Sequence, residues 1–147
     1  MAFSGNFLCS SFKKEVLEAK HNFLASGGHQ FKIALYDNSA SFTAATTAFT
    51  SSNEIAGGST SISSGGINLT SIDPALDSTT AVCDFNDAVF SSVTVTGVRG
   101  ALIYNSTTSG TPTAAVLDFG GDKAASAGDF TVVFPTANAS NAIIRIA

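Results

Sequence analysis

The 147-residue sequence has no tryptophan, one methionine, three prolines, two cysteines and two histidines. Two cysteines cannot build the dense disulfide framework of small secreted domains, and without a C-x-x-C pair they make no zinc knuckle. Cys9 and Cys83 are therefore read as free thiols. Charge is also scarce, at 12% of residues, with seven basic against eleven acidic side chains and a net charge of -4. Such a chain lacks the broad positive field that captures phosphate backbones, so nucleic acid is excluded as an expected partner. No run of 18 apolar residues occurs, and the first eight residues carry no cationic segment ahead of an apolar stretch. Neither a membrane partner nor export is expected from that pattern. With Tyr36 and Tyr104 the only tyrosines, aromatic platforms for sugar stacking are thin, which weighs against a glycosidase or a lectin.

What the chain does contain is 44% hydrophobic residues, enough for a real core, together with 20 serines, 16 threonines and 13 glycines. That mixture favours short β-strands joined by polar turns over helices. One helix is expected, where Ser11 precedes the good helix formers of residues 12–20 and Phe12, Val16 and Ala19 share a face. Beyond Gly28 the pattern changes to period two or to short apolar runs at 31–36, 67–72, 81–85, 89–98, 101–104, 114–119, 130–134 and 143–146. Residues 105–112 and 120–128 read as turns, and 38–66 as a long loop whose Phe42, Phe49, Ile55 and Ile62 pack down. These elements spell a mainly β fold: an antiparallel β-sandwich, with a jelly roll among its topologies, behind a short N-terminal helix. Residues 1–28 form the arm and helix and 29–147 the sandwich body, within one domain overall.

A convergent catalytic set is not legible. His21 and His29 flank the helix exit, where exposed or turn-capping roles suffice, and no G-x-S-x-G elbow accompanies the abundant serines. The cluster Asp84-Phe85-Asn86-Asp87 opens like a calcium loop, but lacks glycine at the sixth position and has Val95 at the twelfth, so it reads as a turn between strands. Gly57-Gly58-Ser59-Thr60-Ser61 lacks the lysine of a phosphate-binding loop, and Asp118-Phe119-Gly120 matches a kinase metal motif only in its letters. No enzyme, cofactor or metal site is expected.

Charge is distributed unevenly. Residues 1–32 hold four lysines and two glutamates, a net of +2, whereas 33–147 hold three basic and nine acidic residues, a net of -6. The basic start suits an acidic neighbour. Phe3, Phe7, Leu8 and Phe12 give the arm at residues 2–12 more apolar surface than a free tail should carry. With Lys13 and Lys14 they are the expected oligomer or attachment contacts. Mean hydropathy of +0.28 without a membrane segment further suggests self-association as a homodimer or homotrimer.

Phe12-Lys13-Lys14-Glu15 through His21-Asn22-Phe23, Phe31-Lys32-Ile33-Ala34-Leu35-Tyr36, Asn53-Glu54-Ile55, Gly65-Gly66, residues 98–105, Ala115-Val116-Leu117-Asp118-Phe119-Gly120 and the ending 141–146 resemble, in order and spacing, the recurrent blocks of small virion structural proteins of tailed bacteriophages. Ile62 and Phe90 depart from that pattern, standing where such proteins often carry Tyr and Trp; both remain apolar and are read as core positions. The resemblance implies a capsid decoration, or cement, protein without catalytic residues. It would be made in the host cytoplasm and would bind the major capsid protein of an HK97-type shell on the virion surface. A tail fibre or spike module that recognises a glycan or receptor is the alternative.

Overall fold

The period-two segments resolve into antiparallel strands in the computed structural model, which describes residues 3–147; Met1 and Ala2, where the expected arm begins, lie outside the described residues. The strands are β1 (Phe7–Leu8), β2 (Phe31–Tyr36), β3 (Ile67–Asn68), β4 (Ser71–Asp77), β5 (Thr80–Phe85), β6 (Ala88–Asn105), β7 (Thr113–Val132) and β8 (Ile144–Ile146). They form a five-stranded sheet of order β1-β7-β6-β2-β3 and a three-stranded sheet of order β4-β5-β8. One helix, α1 (Ser10–Leu17), and a 3-10 turn at Gly58–Thr60 are the remaining regular elements. The protein is thus mainly β, with two antiparallel sheets and a short N-terminal helix.

Aromatic side chains join the layers. Phe31 on β2 lies 5.7 Å, centroid to centroid, from Phe85 on β5, and Phe23 stacks on Phe31 at 4.3 Å. Phe134 extends the row from Phe85 at 5.8 Å. Phe31 and Phe85 are buried, and so are Ile62 and Phe90, which the sequence reading placed in the core. Truncating a buried phenylalanine of this kind costs about 3–5 kcal/mol.

Three local expectations need correction. First, β6 and β7 each merge two of the expected strands, and 120–128 is not a turn but part of β7, paired with β6. The extra residues are absorbed as bulges: Gly100 faces Asp118 while Val98 faces Lys123, with Gly120 at φ +71° and Ala127 at φ +47°. Val93, Val95 and Val98 on β6 bury their side chains, and β7 stays paired with them through these irregularities despite its turn-like composition. Second, the 67–72 run breaks into β3 and the start of β4, one strand in each sheet. Third, α1 starts at Ser10 after Cys9, not behind Ser11; no side chain caps it, and the Ser11 Oγ is buried without a hydrogen-bond partner. It also ends at Leu17, before Ala19, which adopts φ +56°. There the Lys20 N–H donates to the Glu15 carbonyl and the Ala19 N–H to the Val16 carbonyl, a Schellman closure built without glycine. Because a left-handed conformation strains a residue with a Cβ by roughly 1–2 kcal/mol, Ala19→Gly is expected to raise stability by about 1 kcal/mol in urea unfolding.

The long loop is tied to the large sheet. Tyr36 Oη donates to the Thr50 carbonyl at 2.5 Å, Tyr104 Oη donates to the Gly65 carbonyl at 2.8 Å, and Glu54 Oε1 accepts from the Gly65 N–H at 2.7 Å. Phe42 and Ile62 are buried and Phe49 and Ile55 pack against the core, as their apolar character requires.

Candidate binding face

A buried polar cluster lies where the helix exit meets the β6–β7 hairpin. Asn105, at the end of β6, is fully buried. Its Oδ1 accepts from the Thr107 and Thr108 N–H groups at 3.0 and 3.2 Å, which fixes the amide's orientation. The Nδ2 therefore donates, to His21 Nδ1 at 3.1 Å and His29 Nδ1 at 2.9 Å. With Nδ1 accepting, the neutral His21 ring carries its proton on Nε2 and donates it to Glu15 Oε2 at 2.9 Å. The reading of His21 as exposed or turn-capping is thus corrected: its side chain is wholly buried and clamps α1 to the hairpin. The signal in the sequence was weak, because Asn105 lies 84 residues from His21. The chain Glu15–His21–Asn105–His29 has the order of a proton relay, but its hydrogen bonds join α1, the loop after it and the β6–β7 hairpin of this chain.

Most carboxylates serve backbone in the same way. Asp37, Glu54, Asp73, Asp77, Asp84, Asp87, Asp118 and Asp129 each accept from a backbone N–H of their own chain. The 84–87 cluster is a β5–β6 turn, as read, with Asp84 accepting from Phe85 and Ile143 and Asp87 from Phe134. Among the described residues no group of three or more His, Cys, Asp or Glu is placed to hold a metal ion. Burial raises the thiol pKa of both cysteines, that of Cys83 to about 12, helped by the Asp84 charge. Both are free thiols and are protonated at neutral pH.

The arm folds back on its own domain. Phe3 is buried, 5.8 Å from Phe42 and against Gly100, and β1 pairs with β7 through Phe7 opposite Val116 and Leu8 opposite Ala115. Asp118 locks this segment: its Oδ2 accepts from the Gly5 N–H at 3.0 Å while its own N–H donates to Asn6 Oδ1 at 2.7 Å. Of the six expected contact residues, Phe3 and Phe12 are enclosed in this chain's core, Phe7 and Leu8 are half-buried, and Lys13 and Lys14 are exposed. The N–H groups of Gly120 and Gly5, with Arg99 nearby, hold the Asp118 carboxyl below its ordinary 3.8. A depressed value means its contribution to stability is present above pH 3.8 and is lost as pH falls through the folded value. Asp118→Asn is therefore expected to flatten the loss of stability below pH 3.8 and to speed amide exchange at residues 5–8 at neutral pH. Asp84 runs the other way: burial raises its pKa, so its contribution is complete below 3.8 and declines as pH rises through the folded value.

What the fold leaves open is apolar. Between α1 and the small sheet runs a groove of about 430 Å³ lined by Leu8, Phe12, Val16, Leu17, Phe23, Cys83 and Ile144, with Lys13 and Arg145 among its walls. Leu76, Ala81 and Ile146 stand in register across β4, β5 and β8, on the face that carries Cys83 and Phe85. At the Phe85 end this face packs on the core, but at the far end it overhangs, leaving Leu76 75% and Ile146 59% exposed. Leu17, on the helix across the groove, is 88% exposed. Compared with known protein families, with curated proteins and with solved structures, the chain has no match. No described helix is long and apolar enough to cross a membrane.

Proposed function

We propose that this protein is a bacteriophage capsid decoration protein, which binds an assembled shell of major capsid protein and stabilises it by the surface it buries. The observation that carries the reading is the direction in which the side chains are used. Eight carboxylates and both histidines are committed to this chain's own scaffold, while several large apolar side chains are left exposed at the surface. A scaffold that spends its titratable groups on loop geometry and presents Leu17, Leu76, Val133 and Ile146 outward is suited to packing against another protein. The resemblance of the ordered blocks to phage virion proteins suggests the kind of partner. Binding only the assembled shell would stabilise that state by mass action, with no active site needed.

The test is to add the purified protein to expanded shells that lack it, then measure bound copies per major capsid subunit and the temperature at which the shells rupture. Occupancy comparable to the capsid subunit and a raised rupture temperature are expected. A protein found in a few copies at the tail of native virions would favour the host-recognition role and overturn this one.

A further inference from the structure

Lys13 and Arg145 are the two cations that line the groove between α1 and the small sheet, and no acidic residue lines it among the described residues. Lys13 is exposed and has no carboxylate partner among the described residues, whereas Lys14 and Lys20 are both taken by Glu18. Arg145 is exposed as well. Its Nη1 donates to the Ala139 and Ser140 carbonyls, and it meets no carboxylate among the described residues. Acids on the bordering elements are already engaged: Glu15 by His21, Asp73 by the Ala25 N–H, Asp77 by the Ala139 N–H, and Asp84 by the Phe85 and Ile143 N–H groups. The rest of the lining is apolar, with Val16, Leu17, Cys83 and Ile146 among it.

These charges restrict what can cover the groove. An uncharged apolar surface would take water from Lys13 and Arg145 and return no partner, and a second copy laid groove on groove would bring the same two cations. A carboxylate set among apolar side chains satisfies both the walls and the charges. From this complementarity we infer that the groove docks a segment of another protein in which apolar residues flank acidic ones. A protein segment fits better than a lone alkyl carboxylate, because apolar surface continues past the lining: Leu17 is 88% and Ile146 59% exposed, and a single alkyl chain lying in the groove leaves both wet. Apolar burial supplies the affinity, while Lys13 and Arg145 select the sign of the partner's charge and steer the encounter. The inference concerns this groove alone and does not need the shell. Protein that binds an acidic peptide here but does not bind shells loses the decoration role and keeps this one; the reverse result does the opposite.

The test is a two-dimensional amide NMR titration of the full chain with a short capped peptide that alternates leucine and glutamate, set against its leucine–lysine counterpart and against laurate. The acidic peptide is expected to give saturable shifts at residues 13–17 and 144–146, to bind about tenfold or more tighter than the lysine peptide, and to weaken with added salt. Lys13→Glu should abolish the preference for the acidic peptide, and Leu17→Ser should weaken its binding about tenfold. Both variants should melt like the wild type, since each replaced side chain is exposed. No shifts at these residues, equal binding of the lysine peptide, or indifference to both variants would overturn the inference. So would laurate that displaces the peptide, which would make the groove a lipid site, or a wild-type dimer in sedimentation velocity that covers the same residues.

Discussion

Replacing Gly66 with alanine is expected to cost on the order of 3 kcal/mol or more, the largest effect of any single methyl in this protein. Two penalties coincide there. Gly66 lies at φ +70°, and a Cβ at that position would sit 1.9 Å from the Ile33 carbonyl oxygen and 2.7 Å from the Ala34 Cα. Both atoms belong to the backbone of β2, which is hydrogen-bonded to β6 and β3 and cannot yield without loosening the large sheet. Relief would require β3 to leave β2, releasing the Gly65 clamp to Tyr104 and the end of the long loop. Gly97 provides the control: its φ is +66°, but a Cβ there would meet nothing within 4 Å. Gly97→Ala should cost only the left-handed strain, roughly 1–2 kcal/mol. Equal losses for the two variants in urea unfolding would show that conformational strain, and not collision with β2, governs the site.

Asn105→Leu is expected to destabilise the fold by about 3–5 kcal/mol, although leucine has a similar volume and the site is buried. The substitution removes a donor shared by two histidine rings and an acceptor shared by two amides. Leaving each buried partner without a bond costs about 1–3 kcal/mol, reduced where water can reach the loop. The effect should be regional as well as global. Amide exchange at 107–108 and at the helix exit around residues 18–22 should accelerate more than exchange in β5. A loss below about 1 kcal/mol, or uniform exchange, would mean that Asn105 does not join the two segments.

Both expectations rest on contacts between residues far apart in the chain, and the same holds for most of what sequence reading missed. The bounds of β2, the β5 and β8 segments, the single helix and the two-layer antiparallel character were legible because apolar periodicity is local and a half-buried strand must alternate. Phe31 to Tyr36 reads as a strand from its run of apolar residues without knowledge of any partner, and it is buried on both faces. Whether 120–128 turns or continues β7 was not legible, since glycine and serine serve bulges and turns equally and only the buried valines of β6 decide between them. The helix start moved for a similar reason: Cys9 N–H donates to the Ala114 carbonyl and Ser10 N–H to the Ala44 carbonyl, so tertiary contacts set the first turn without Ser11.

The candidate face divides in the same way. Its ingredients could be read from the chain: an apolar arm, a basic helix start and an acidic remainder. Their placement could not. Phe3 and Phe12 were grouped with Phe7, Leu8, Lys13 and Lys14 as contacts because all are close in sequence, but burial depends on which way the fold turns each side chain, and Asp118 draws Gly5 and Asn6 down from 112 or more residues away. Leu17 and Leu76, the most exposed large apolar residues, carried no mark that distinguished them from core leucines. By itself, then, the amino-acid sequence determined the β class, the one helix and the net negative charge, because composition and periodicity act residue by residue. Which apolar and charged groups remain outside, and so what this protein presents to another molecule, was decided only when two sheets and a folded-back arm competed for the same core.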